Sequence, residues 1–197
     1  MGRSRSDARL FVAIAGPPGA GKSTVAEALV SQINATEPGT AALLPMDGYH
    51  FDDRVLRLLG RLDRKGAPDT FDVDGLRHTM LRLREKTSAA IAVPVFDRDL
   101  EIARAGARLI GPEARIIVVE GNYLLLDQEP WRSLVTLFDV TVFLDVPIDV
   151  LRERLERRWR KFQISPEEIR RKVEENDLPN GEMVMRESLS PDVIIGN

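Results

Sequence analysis

The chain has no cysteine, so disulfides, thiolate catalysis and cysteine–zinc sites are excluded. It has only two histidines, His50 and His78, which speaks against a histidine-built metal centre. It lacks a basic excess. The formal net charge is −3, and a nucleic-acid partner is not expected. No apolar run approaches the roughly 20 residues that cross a bilayer, so no membrane partner is expected either. The opening stretch MGRSRSDAR lacks the apolar core of a secretory signal. Gly2 and Ser6 fit the loose pattern for N-myristoylation, although a frayed start is the simpler reading. There are no internal repeats, no low-complexity tract and no linker. No heptad or interface stripe indicates an oligomeric state. The cytoplasm is the expected compartment.

What is present fits one domain over residues 1–197. Apolar runs alternate with helical patterns, which predicts an α/β fold of about five strands, parallel, with crossover helices. Strands are expected at LFVAIAG (10–16), AALLPM (41–46), RIIVVEG (115–121), VTVFLDVP (140–147) and VIIG (193–196). Helical periodicity marks residues 25–33 and 75–85, and the Trp131, Leu134, Val135, Phe138 series. Pro45 cannot donate a ladder hydrogen bond, which puts the second strand at an edge. Ligands in such sheets sit at the carboxyl ends of strands.

Residues 16–23 match G-x-x-x-x-G-K-[ST] in full, after a predicted strand and before a predicted helix. Gly16, Gly19 and Gly21 let the backbone curl so that its N–H groups, with that of Ala20, face phosphate oxygens. The helix N-terminus adds partial positive charge. Lys22 is expected to reach the β- and γ-phosphates of ATP, Ser23 to hold Mg²⁺, and Thr24 to touch phosphate. No guanine-reading Asn-Lys-x-Asp is present, so a GTPase is not indicated. DVDG (72–75) imitates a switch motif, but no apolar strand precedes it.

Phosphoryl transfer to an alcohol needs a carboxylate at the attacking hydroxyl and another that helps hold the metal. Asp47, in MDGYHFDD (46–53), is placed for the first role and Glu120 for the second. Asp145 reads as structural. Tyr49, His50 and Phe51 either line an acceptor pocket or pack the loop. Residues 147–162 form an amphipathic helix with Ile148, Leu151, Leu155, Trp159 and Phe162 on one stripe. Ser165, Pro166 and Glu168 then restart a helix. Helix, break, helix describes a lid over about residues 152–180, whose arginines stabilise charge in transfer. Arg154, Arg157 and Arg158 are the candidates; alternatively they pair with Glu153 and Glu156.

GPPGAGKST, MDGYHFDD, RKGAPDTFD, VPVFDRDLE, VVEGNYLLL and ENDLPNGEMV occur in an order that resembles the uridine kinase, phosphoribulokinase and pantothenate kinase group, and within it the short bacterial branch called fructokinase-like. The resemblance spans about residues 10–196. It implies a P-loop NTPase three-layer αβα fold, with a five-stranded parallel sheet ordered 2-3-1-4-5, and Asp47 as catalytic base. It also puts Arg98 and Asn122 near the acceptor, and Asn176 on the substrate side. Arg98 could instead pair with Asp97 or Asp99, and Asn176 could cap a helix. The chain is short for a pantothenate kinase, and its base-reading contacts for uridine are not located. It also carries few basic residues for a phosphorylated substrate. A small neutral sugar or polyol such as fructose remains, with uridine or pantothenate as alternatives. A regulatory ATPase acting on a protein partner is the competing class.

Overall fold

A computed structural model describes residues 9–85 and 89–197. The N-terminal pattern with Gly2 and Ser6 lies outside the described residues.

Five strands form one parallel sheet: β1 (Leu10–Ala15), β2 (Ala41–Pro45), β5 (Ile116–Glu120), β6 (Val140–Asp145) and β7 (Val193–Gly196). Their spatial order is β2-β5-β1-β6-β7. Two further strands, β3 (Ile91–Asp97) and β4 (Ile102–Ile110), form a separate antiparallel hairpin. The hairpin strands intervene in chain order and so shift the labels. With them left out of the count, the sheet reads 2-3-1-4-5. Pro45 is on edge strand β2, in register with Glu120, as its missing N–H demands.

The central strands read as continuous apolar runs because both of their faces are covered. Side chains alternate between two cores. Phe11, Ala13, Leu44, Ile117, Val119 and Phe143 face one layer, with Leu76 and Met80 of α3 (Val73–Arg84) and the hairpin residues Ile91 and Val93. Ile14, Leu43, Val118 and Leu144 face the other. There they meet Ala26 of α1 (Lys22–Thr36) and Leu151 and Leu155 of α5 (Ile148–Arg160). Each fully buried leucine contributes about 2 kcal/mol through apolar area removed from water.

The remaining helices are α2 (Asp53–Leu58), α4 (Arg132–Val135), α6 (Pro166–Lys172) and α7 (Leu178–Glu187). Short polar side chains start several of them. Asp52 accepts from the Arg54 N–H at 2.8 Å, and Asp72 from Gly75 at 2.9 Å. The DVDG stretch is thus the cap of α3. Ser165 accepts from Glu168 at 3.1 Å, with Pro166 at the first helical position, as the sequence predicts. Between α6 and α7, Val173–Asp177 winds as a π-turn. Asp145 contributes its backbone carbonyl, which accepts from Asn197 at 3.1 Å.

Candidate active site

The phosphate-binding loop connects β1 to α1 at the carboxyl edge of the sheet. Gly16 has φ +149, and a Cβ there would meet the Leu144 carbonyl oxygen at 2.8 Å. Only glycine lets the loop leave the sheet so close to β6. The Ala20 N–H donates to the Pro17 carbonyl at 3.1 Å, which closes the curl. The Lys22 ammonium donates to that same carbonyl at 2.9 Å. Burial pushes its pKa down to about 8, against the pull of Glu120 and Asp47.

Asp47 lies two residues past the end of β2, in a tight turn over Met46–Tyr49. Gly48 at the centre of that turn faces the hairpin. A Cβ there would lie 2.4 Å from the Pro94 carbonyl oxygen. The close approach brings the hairpin tip over the sheet edge, where Arg98 ion-pairs with Asp47. Asp97 is not available for Arg98, because its carboxylate takes Arg104 at 3.0 Å and the Asp99 and Leu100 amides.

These groups line one cavity of about 700 Å³. The loop contributes Gly19, Gly21, Lys22, Ser23 and Thr24. Opposite them stand Asp47, His50, Arg98, Glu120 and Asn122, with Arg154 and Arg158 from α5. Two carboxylates in it are pushed apart. Burial works to raise Asp47, but Arg98, His50 and Lys22 outweigh it and hold the group below the usual carboxylate range. Glu120 is pushed up to about 7, by burial first and by the Asp47 charge second. Ser23, which lines the same cavity, works against that rise. His50 contacts the Asp47 carbonyl through Nδ1 at 2.8 Å and is wedged between Phe71 and Phe96, ring centroids at 4.0 and 4.6 Å. Burial lowers its pKa against the pull of Asp47.

Not every expected residue reaches the cavity. Gly16 and Ala20 are buried and shape the loop from behind. Tyr49 points into the core beside Phe71 and Val73, so the packing alternative holds for it. Asn176 does not line the cavity. Its amide donates to the Lys65 carbonyl at 3.0 Å, while Asp177, one residue on, faces the cavity. The π-turn carries one residue more per turn than the helices that flank it. Among the arginines, Arg157 pairs with Glu153 on the exposed face, at 3.4 Å. Arg154 reaches the Gly19 carbonyl at 3.4 Å, and Arg158 stacks on Trp159 with its Nε buried and unpartnered.

Lys65, Glu101, Asp177 and the stripe residue Trp159 also line the cavity, without a local motif to mark them as site residues. Lys65 was visible within RKGAPDTFD. The loop that carries it is tied down on several sides. Arg64 donates to the Glu175 carbonyl at 2.6 Å, Tyr123 to Gly66 at 2.5 Å and Trp131 to Pro68 at 3.1 Å. The Trp159 indole donates to Asp177 at 2.6 Å, while burial raises the Asp177 pKa.

Residues 11–180 match the model of the Phosphoribulokinase / Uridine kinase family. The chain belongs to this family. It is thus an ATP-dependent P-loop kinase, the coarse class that the loop, Lys22 and the strand-end acids indicate. A solved protein of Silicibacter sp. TM1040, provisionally named a fructose transport system kinase, is 38% identical. It superposes with a TM-score of 0.90, over 98% of this chain and 92% of that one. A Schizosaccharomyces pombe protein with the provisional name uridine kinase C227.14 is 31% identical, over 95% of this chain and 83% of its own length. The uncharacterized Escherichia coli protein YggC is 33% identical, over 95% and 77%.

Proposed function

We propose that this family member transfers the γ-phosphoryl group of ATP to a hydroxyl of a small, neutral polyhydroxy compound, a sugar such as fructose being the best-fitting class. The observation that carries this reading is the meeting of Asp47, Arg98, Lys22 and Glu120 in one cavity at the carboxyl edge of the sheet. The provisional fructose label of the Silicibacter protein supports the sugar class. The uridine label of the fission-yeast protein keeps a nucleoside as the alternative.

Each residue has a part. The loop amides and Lys22 hold the phosphates. Ser23 and Glu120 bring a hydroxyl and a carboxylate to the same cavity, oxygen donors of the kind Mg²⁺ takes. Among the described residues no three His, Cys, Asp or Glu side chains cluster to form a metal cage. That fits an ion which keeps waters and phosphate oxygens as its other ligands. Mg²⁺, when bound, neutralises charge on the phosphate oxygens. A cation bound there would favour the ionised form of Glu120.

Asp47 orients the acceptor hydroxyl and takes its proton as the new bond forms. A carboxylate of low pKa suffices for this, because the proton leaves late when the transition state is loose. Arg98 fixes the Asp47 carboxylate in place. Arg154 and Arg158 bring positive charge from the helical segment 152–180, which closes over the phosphates as a lid. The test is Asp47→Asn. Transfer falls by about a hundred- to ten-thousandfold, while ATP affinity changes by less than about threefold. Full transfer in that variant overturns the assignment.

A further inference from the structure

Glu101 closes the hairpin between β3 and β4 and stands in the left-handed region, with φ +54. Hairpin loops commonly need a left-handed residue at this point, and glycine or asparagine supplies it most cheaply. Gln163, at φ +55, is the other non-glycine in this region among the described residues. It follows the end of α5, where a left-handed residue is an ordinary helix stop. Glu101 stands at the wall of the cavity.

Three observations single out this carboxylate. Its Oε1 is shut away from solvent with no hydrogen-bond partner. Such an atom lacks a partner only at a cost, which a turn of the side chain towards a donor in the cavity recovers. Its backbone is clamped: the Lys65 ammonium donates to the Glu101 carbonyl at 2.5 Å and to Asp53 at 2.7 Å. It stands within electrostatic reach of Arg98, which pairs with Asp47 three residues upstream on the same turn, and of Arg158. One short turn therefore presents the arginine that fixes Asp47 and an acid with an unused acceptor atom.

We propose that Glu101 selects the phosphate acceptor. Its carboxylate accepts a hydrogen bond from a second hydroxyl of the substrate, and its charge turns away acceptors that bear a carboxylate or phosphate at that place. This rests on the proposed function above and narrows it to polyhydroxy compounds that are neutral on the side away from the reacting hydroxyl. Specificity of this kind comes from an unpaired polar group that only the right partner satisfies.

The test uses the full chain with ATP and Mg²⁺. Fructose, ribose, ribitol and uridine are set against glycerate, pantothenate and ribulose 5-phosphate, with ADP release as the readout. The wild-type protein is expected to accept a neutral member. Glu101→Gly suits the left-handed backbone, so its melting temperature does not fall. Its KM for that acceptor rises about tenfold or more, and its KM for ATP stays within about twofold. Glu101→Gln narrows the gap between neutral and anionic acceptors. An anionic responder overturns the inference and leaves the kinase reading standing. So does an unchanged acceptor KM in both variants. A panel without any responder overturns the proposed function itself.

Discussion

Glu120 should make the protein less stable as the pH rises, and removing its charge should stabilise it. The residue is 6% exposed. Its pKa is raised from 4.5 to about 7, by burial first and by Asp47 second. Between those two values the folded chain therefore holds a proton that the unfolded chain has released. Stability linked to this group is fully present below about pH 4.5 and is lost as the pH rises through about 7. At 1.36 kcal/mol for each pKa unit, the loss is on the order of 3 kcal/mol. That figure already contains the attraction of Lys22, one of the charges acting on the group. Glu120→Gln keeps the shape and mimics the protonated form. Urea unfolding of wild type and variant at pH 5, 6, 7 and 8, without nucleotide, checks this. The variant should gain with pH, by up to about 3 kcal/mol at pH 8, and the two should converge towards pH 5. A wild-type-like pH profile in Glu120→Gln would refute the reasoning. The same variant should lose phosphoryl transfer, so the buried acid is a stability cost kept for function.

Further outcomes follow from the same geometry. Arg158→Met should lower kcat by about a hundredfold, since it strips a cavity cation. Arg157→Met should change kcat by less than about twofold, because its exposed pair with Glu153 contributes only about 0.3–0.5 kcal/mol. Steady-state kinetics of the pair decides between them. Gly48→Ala forces a Cβ to within 2.4 Å of the Pro94 carbonyl. It should destabilise by about 1–3 kcal/mol and impair transfer, as the hairpin is pushed off Asp47. Thermal melting and ADP release report the two effects.

The parts of the site that were legible in the sequence are local. GPPGAGKST is contiguous, and its strand-before, helix-after context can be read from apolar periodicity alone. Glu120 ends an unmistakable strand, and Asp47 follows another within two residues. Strands β1 and β5 were equally plain, because their apolar runs are largely buried on both faces, whereas β7 is a short apolar run exposed at all four residues. The hairpin was missed because β4 is largely exposed and so carries no apolar pattern. Arg98 had two nearer carboxylates in sequence, and only the hairpin fold shows that Asp47 is its partner. The resemblance put Asn176 on the substrate side, but its amide is taken by the Lys65 carbonyl and Asp177 lines the cavity, within a π-turn that no sequence pattern marks. Tyr49 and His50 are adjacent, yet the tight turn sends one into the core and the other to the cavity.

The central claim is that Asp47 serves a hydroxyl on a small molecule. The most direct test is ADP release from ATP and Mg²⁺ with the acceptor panel, run on wild type and Asp47→Asn side by side. The account predicts one strong neutral responder with the wild-type protein and near-background turnover with the variant. Slow hydrolysis that no compound stimulates, alike in both proteins, would contradict it and point to an ATPase that works on a protein partner.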